Sequence, residues 1–269
     1  MYEEPYRWVE AVGNRRQYLD DQLKEGTPVV GVAYERGILL MTMSKGTLKL
    51  YEIYDRLALG GMGHPADLEK LRFNLLEMAH IEGFNRSVSD VTGSRLVKYG
   101  ITPVIKQAFE EVFKAPFIVK ILLAELGQKA EKDGFLTINY DGTFEEKGRY
   151  AVLAATSAVE EKMMGYLRQQ SIVSLKEAVD VAVRTWAVGD RAQRSALEDG
   201  QGHDEARTVP DQQVIDAEAL YTHLRRCIAE KTIECALLDR HVQGPSKYRA
   251  LEADELRTML PTDLSPSLA

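Results

Sequence analysis

Residues 28–62 read PVVGVAYERGILLMTMSKGTLKLYEIYDRLALGGM. Four short runs rich in β-branched, aromatic and small residues stand here, at 28–34, 37–43, 49–54 and 57–62. Each is bounded by turn residues, as strands are. Glu35-Arg36, closed by Gly37, separates the first two. Connections this short favour antiparallel hairpins, because parallel strands need a long crossover.

On the N-terminal side, residues 4–25 have a helical pattern. Tyr6, Val9, Val12, Leu19 and Leu23 recur at roughly helical spacing among charges, and Gly26 stands where a helix would stop. Such a helix needs another surface to pack on, either the body of the domain or a neighbouring subunit. On the C-terminal side, Pro65 opens a helix with Asp67 and Glu69 in its first turn and Leu68, Leu71, Leu75 and Ala79 on one face. Residues 89–113 predict a second helix, with Leu96, Tyr99, Ile105, Phe109 and Val112 as its apolar positions and a kink or break at Gly100 and Pro103.

Strands resume at 117–126 and at 135–144, where Asp141-Gly142 signals a hairpin turn, and again at 149–155. Two helices follow, each predicted to open with a capping box, Ser157 with Glu160 and Ser174 with Glu177. Residues 188–213 are polar and aperiodic and read as a mobile insertion. A helix at 214–230, a strand at 232–239, an edge strand at 247–251, a short helix at 253–260 and a disordered tail at 261–269 complete the chain. Helices in pairs and strands in hairpins suit an α+β fold of two stacked antiparallel sheets with helices on both outer faces, a four-layer αββα sandwich. The domain plan is an N-terminal segment over 1–25 and one sandwich domain over 26–260.

The 269 residues, 45% hydrophobic and 28% charged, give ample material for a single core. A formal charge of −7 argues against a protein built to neutralise phosphates, so no nucleic-acid partner is expected. No export signal and no long apolar span is legible, so a cytoplasmic protein with no membrane partner is expected. Cys227 and Cys235 are eight apart, with no second pair and no histidine cluster at ligand spacing. They read as buried thiols, and neither a metal nor a cofactor is expected.

Several segments carry a resemblance, in order, over most of the chain. They are GTPVVGVAYERGILL (26–40), LKLYEIYDRLALGGMGHPADLEKLR (48–72), DVTGSRL (90–96), LTINYDGTF (136–144) and YAVLAATSAVEE (150–161). The chain resembles proteasome subunits, and among them the α-type subunits of bacterial proteasomes, whose extra N-terminal helix the 4–25 segment is similar to. The resemblance implies the N-terminal-nucleophile hydrolase sandwich. It also implies a heptameric ring of copies stacked on a β-type ring that cuts peptides. The α ring narrows the entrance and receives an ATP-driven ring activator.

In the family's catalytic subunits a threonine freed by cleavage after glycine is activated by an acid and a lysine. Gly26-Thr27 and Lys49 match that pattern, whereas Met43 stands at the acid's position. With Thr27 followed by Pro28 and preceded by a helix that reads as retained, the implied role is a non-catalytic subunit. The rival readings are a threonine peptidase or amidase active after cleavage at Gly26-Thr27, and a stand-alone proteasome-like ring. By the same resemblance Lys49, Gly63 and His64 line the pocket for the activator's C-terminal tail, although His64 before Pro65 equally suits a helix cap. Residues 1–6, with Tyr2, Glu3, Glu4 and Pro5, would form the gate. Residues 113–117 (FKAPF), with Lys114 and Pro116, would form the constriction or else a plain helix-to-strand turn.

Overall fold

The computed structural model describes residues 4–111, 113–199, 217–260 and 264. Among these residues ten strands pair antiparallel throughout. One sheet has the order β10-β9-β2-β1-β8: β1 Val29–Tyr34, β2 Gly37–Ser44, β8 Tyr150–Leu153, β9 Thr232–Asp239 and β10 Tyr248–Ala250. The other runs β3-β4-β5-β6-β7: β3 Leu50–Tyr54, β4 Leu57–Gly63, β5 Val119–Glu125, β6 Gly134–Ile138 and β7 Phe144–Lys147. The helices are α1 Glu4–Leu23, α2 Pro65–Asn85, α3 Gly93–Leu96, α4 Thr102–Glu110, α5 Ser157–Arg168, α6 Leu175–Asp199, α7 Ala217–Glu230 and α8 Ala253–Met259.

Strand alternation divides the apolar residues among three cores. Val30, Val32, Leu39, Met41 and Met43 face outward onto α5 to α8, with Trp186 of α6 fully buried among them. Val29, Ile38 and Leu40 face inward and meet Leu122, Phe135 and Met62 of the second sheet. Leu59, Ile121 and Leu123 face the opposite way, onto Leu68, Leu71, Leu75 and Ala79 of α2 and onto Ile105 of α4. The result is the expected αββα sandwich. Helix α1 lies outside these layers, but its Leu19 and Leu23 enter the core between the sheets and are fully buried.

One lateral side of the sandwich is clasped. The Tyr248 hydroxyl donates to Leu50 O (3.4 Å), Ser246 Oγ to Glu52 (2.6 Å) and Lys247 N to Asp55 O (2.7 Å). A cavity of about 620 Å³ is lined by Thr137 and Asn139 at the end of β6, by Glu145 and Lys147 of β7, and by Leu153 and Glu160 of β8 and α5.

Several local expectations are corrected. Helix α6 continues to Asp199, so residues 188–199 are not an insertion, and Val188, Asp190 and Gln193 are buried in it. Residues 200–213 lie outside the described residues. The cap of α5 is Thr156, whose side chain accepts from Val159 N (3.4 Å). Ser157 is the first helical residue, and Glu160 turns instead to Ala154 N and Lys120. The second box is formed: Glu177 N donates to Ser174 Oγ (3.3 Å) and Ser174 N to Glu177 Oε2 (2.8 Å). The break expected near Gly100 and Pro103 is a π-turn over Val97–Ile101, where Gly100 lets Met78 come close. Tyr99 is 74% exposed, not part of the apolar face, and Val112 lies outside the described residues. In the C-terminal segment over 261–269, the described Leu264 is fully buried in the helix-facing core.

At Gly37 the β1–β2 turn meets β9 so closely that a Cβ would lie 1.9 Å from Leu238 O. That neighbour is backbone and cannot swing aside. Gly37→Ala is therefore expected to cost about 2 kcal/mol or more, lowering the thermal midpoint by several degrees. Gly13→Ala, where nothing lies within 4 Å, serves as the control in the same melt. It is expected to be neutral or stabilising by up to about 1 kcal/mol.

Candidate functional site

Thr27 lies where α1 hands over to β1. Gly26 N donates to Leu23 O (2.9 Å), closing the end of α1. The Gly26 carbonyl accepts from Gln193 Nε2 (2.7 Å), and Gln193 Oε1 accepts from Ala155 N (2.9 Å). On the other side of Thr27, Pro28 O accepts from Thr42 Oγ1 (2.7 Å). The threonine is thus held from α6 and from β2. A Cβ at Gly189 would lie 2.4 Å from Met163 Sδ and 3.1 Å from Pro28 Cγ, so glycine lets α6 pass this close.

Lys49 reaches the same place from the β2–β3 connection. Its Nζ donates to Thr27 Oγ1 at 2.6 Å. Its backbone N donates to Glu234 Oε2 (2.9 Å), and its carbonyl accepts from Gly61 N (3.0 Å). The other Glu234 oxygen accepts from Ser44 Oγ. Burial pushes the Lys49 ammonium below its ordinary pKa of 10.5, and the Glu234 charge opposes that shift through space. Among the described residues no carboxylate is in ion-pair contact with Nζ, so this partly buried cation rests on a neutral hydroxyl. Chemically the arrangement can receive an incoming anion. It can also hold a threonine hydroxyl against a base.

Met43 is fully buried in the helix-facing core. Its neighbours Thr42 and Ser44 are the β2 side chains that bond within this region. The acid of the region is Glu234, directly opposite Thr42 in the β2–β9 register. Sequence reading missed it because Glu234 is 185 positions away from Lys49, and pairing register is not written in local spacing. Gln193 was missed because its segment read as aperiodic, although Val183, Trp186, Asp190 and Gln193 continue a spacing of three to four.

Gly63 adopts φ +126°, and a Cβ there would meet Ile118 O at 2.0 Å, so glycine is required by the β4–β5 join itself. His64 is the N-cap of α2: its Nδ1 accepts from Ala66 N (3.3 Å) and its backbone N donates to Ile118 O (2.8 Å). Tyr2 and Glu3 lie outside the described residues, and Glu4 and Pro5 begin α1. Lys114 is exposed and pairs with Glu111 (2.6 Å), and Pro116 lines a groove of about 280 Å³ with Val12, Tyr18 and Phe109. Arg15 of α1 donates to the carbonyls of Glu111 (2.9 Å) and Lys114, fastening the helix to this loop. One group of metal-ligand side chains converges among the described residues, Asp190, His223 and Cys227, between α6 and α7. No helix of the described residues is long and apolar enough to cross a membrane.

No protein-family model matches the chain. Curated relatives do. The chain is 31% identical over 190 residues to the proteasome subunit alpha of Streptosporangium roseum, covering 69% of this chain and 72% of the relative. It is 30% identical over 234 residues to that of Salinispora tropica (86% and 77%), and 27% identical over 251 residues to that of Thermobifida fusca (92% and 86%). With similarity of this extent on an αββα sandwich preceded by α1, the chain belongs to the proteasome α-subunit family.

Proposed function

We propose that this chain is a non-catalytic, gate-bearing α subunit of a cytoplasmic proteasome core particle. Its partners are copies of itself in a heptameric ring, a β-type subunit that carries the peptidase, and an ATP-driven ring activator. The observation that carries the reading is the burial of Leu19 and Leu23 of α1 between the sheets, which makes the segment before Thr27 part of the core. An N-terminal threonine works because its freed α-amine takes the hydroxyl proton. Freeing that amine would require cleavage after Gly26. Cutting it free would unseat two leucines whose burial is worth about 1.5–3 kcal/mol each, against a domain stability of about 5–15 kcal/mol.

The contact of Lys49 with the Thr27 hydroxyl, beside a Gly26 carbonyl held by Gln193, favours a second reading, a threonine peptidase released by cleavage. Intact mass separates the two. Protein purified after co-expression with a β-type partner is expected to keep its full-length mass. Loss of the first 26 residues would establish the second reading.

Lys49 is the proposed anchor for an activator's C-terminal carboxylate. Its ammonium is partly shielded and pairs with no carboxylate among the described residues, so an arriving one forms a charge-assisted bond. Gly63 and His64 are carried into the proposed pocket by the family resemblance; they follow Gly61, whose N–H donates to the Lys49 carbonyl (3.0 Å). Lys49→Ala is expected to leave the ring assembled and to weaken activator docking by about 10- to 150-fold, the equivalent of about 1.5–3 kcal/mol. Because the folded pKa is depressed, docking should weaken as pH rises through a value below 10.5, where the ammonium is lost while the carboxylate stays ionised. Unchanged stimulation in Lys49→Ala would refute the anchor.

For the gate, Glu4 to Tyr6 form the first turn of α1, and Arg15 fixes α1 to the loop that carries Lys114 and Pro116. Deleting residues 1–6 is expected to raise peptide hydrolysis by the assembled particle several-fold. Arg15→Ala should give a smaller rise by loosening the helix from the loop. No change in either variant would remove the gating role.

A further inference from the structure

Helices α6 and α7 carry a group of donors that the Thr27 region does not use. Asp190 is on α6. His223 and Cys227 are four residues apart on α7 and therefore share one face. His223 Nε2 lies 2.9 Å from Asp190 Oδ2, Cys227 Sγ lies 3.5 Å from His223 Nε2, and Cys227 Sγ lies 3.7 Å from Asp190 Oδ2. One oxygen, one imidazole nitrogen and one sulfur thus surround a common point. Around a tetrahedral zinc ion with bonds of about 2.0–2.3 Å, such ligand pairs stand about 3.3–3.6 Å apart. Two of the three separations already match within about 0.2 Å, and the third needs to open by about 0.4 Å.

We propose that Asp190, His223 and Cys227 form a binding site for a soft or borderline divalent cation, zinc by preference, that pins α6 to α7. The donor types select for it. An imidazole, a thiolate and a carboxylate suit zinc, whereas calcium and magnesium take oxygen ligands.

The surroundings fit such a centre. Asp190 and Cys227 are buried, and the His223 side chain is 13% exposed, which leaves an approach from solvent. The carboxylate is oriented from outside the trio: Lys231 Nζ donates to Oδ1 (3.0 Å) and Arg194 Nε to Oδ2 (2.7 Å). Ligating carboxylates are ordinarily held by hydrogen bonds of this kind. In binding, the ion takes the Nε2 position of His223, whose neutral imidazole then carries its proton on Nδ1, and it displaces the proton of the Cys227 thiol, which leaves to solvent. Three protein ligands leave a fourth position for water. The two neighbouring cations oppose the ion's charge, so the site is expected to bind in the micromolar range, weaker than a closed all-cysteine centre.

Cobalt(II) is the probe, because its thiolate complexes show a near-ultraviolet charge-transfer band and tetrahedral ones show strong visible bands. The full-length protein, stripped with chelator, is titrated with cobalt and then with zinc. The expected result is one equivalent of a cobalt–thiolate spectrum, erased by zinc, with a thermal midpoint raised by zinc. Cys227→Ser should abolish the charge-transfer band and Cys235→Ser should retain it. His223→Gln should weaken binding at least tenfold. If the unbound Cys227→Ser protein melts lower, the Cys235→Ser comparison still assigns the thiolate. No saturable band up to about millimolar cobalt, or a band that persists in Cys227→Ser, overturns the site and leaves the trio a hydrogen-bonded clasp.

Discussion

Two sheets that face each other with apolar side chains must be closed at their ends, and at the end where β1 begins the closure is α1. Leu19 and Leu23 fill the space beside Val29 and Met62. The rest of that end follows from them. The chain leaves the plug at Gly26, where a Cβ would lie 2.7 Å from Met62 Cγ and force that side chain to shift. It then enters β1 with Thr27 held in place, and Lys49 finds a fixed hydroxyl to rest on. In an enzyme of this architecture the same position would have to be open and its amine free.

Lys49 illustrates how such a site keeps a charge available. A buried cation usually either loses its proton or acquires an acid. Glu234 could have served as that acid, but its oxygens go to the backbone of Lys49 and to Ser44. The carboxylate fixes the lysine's position and supports its charge from a distance without occupying its ammonium. A cation held in this way has gained structural order without losing its capacity for a partner.

What was legible in the sequence was what is local. The four strands of 28–62, the Asp141-Gly142 turn, the α2 face and the Ser174–Glu177 box depend on residues a few positions apart. The Ser157 box failed by one residue, because Thr156 was the better-placed hydroxyl and Glu160 had Lys120 as a stronger partner. The end of α6 was misread because its buried face there consists of Val188, Asp190 and Gln193, and the two polar residues break the apolar pattern. Lys49 and Thr27, 22 positions apart, were linked only through the family resemblance. Glu234, and Asp190 opposite His223 and Cys227, were not legible, since only strand register and helix packing bring them together. The polar residues that fold into the protein's interior are those that spacing hides.

The clasp between β3 and β10 bears on how the chain behaves before it meets any partner. Sheet edges expose unpaired amides and carbonyls and invite uncontrolled strand addition. Here all four edge strands are short: β10 has three residues, β7 and β8 four each, and β3 five. β3 and β10 are tied to one another across the sandwich, and β7 carries Glu145, Glu146 and Lys147. Edges blunted in this way disfavour fibre-like strand addition. They leave recognition to shaped side-chain surfaces, which can be specific, and not to backbone, which cannot.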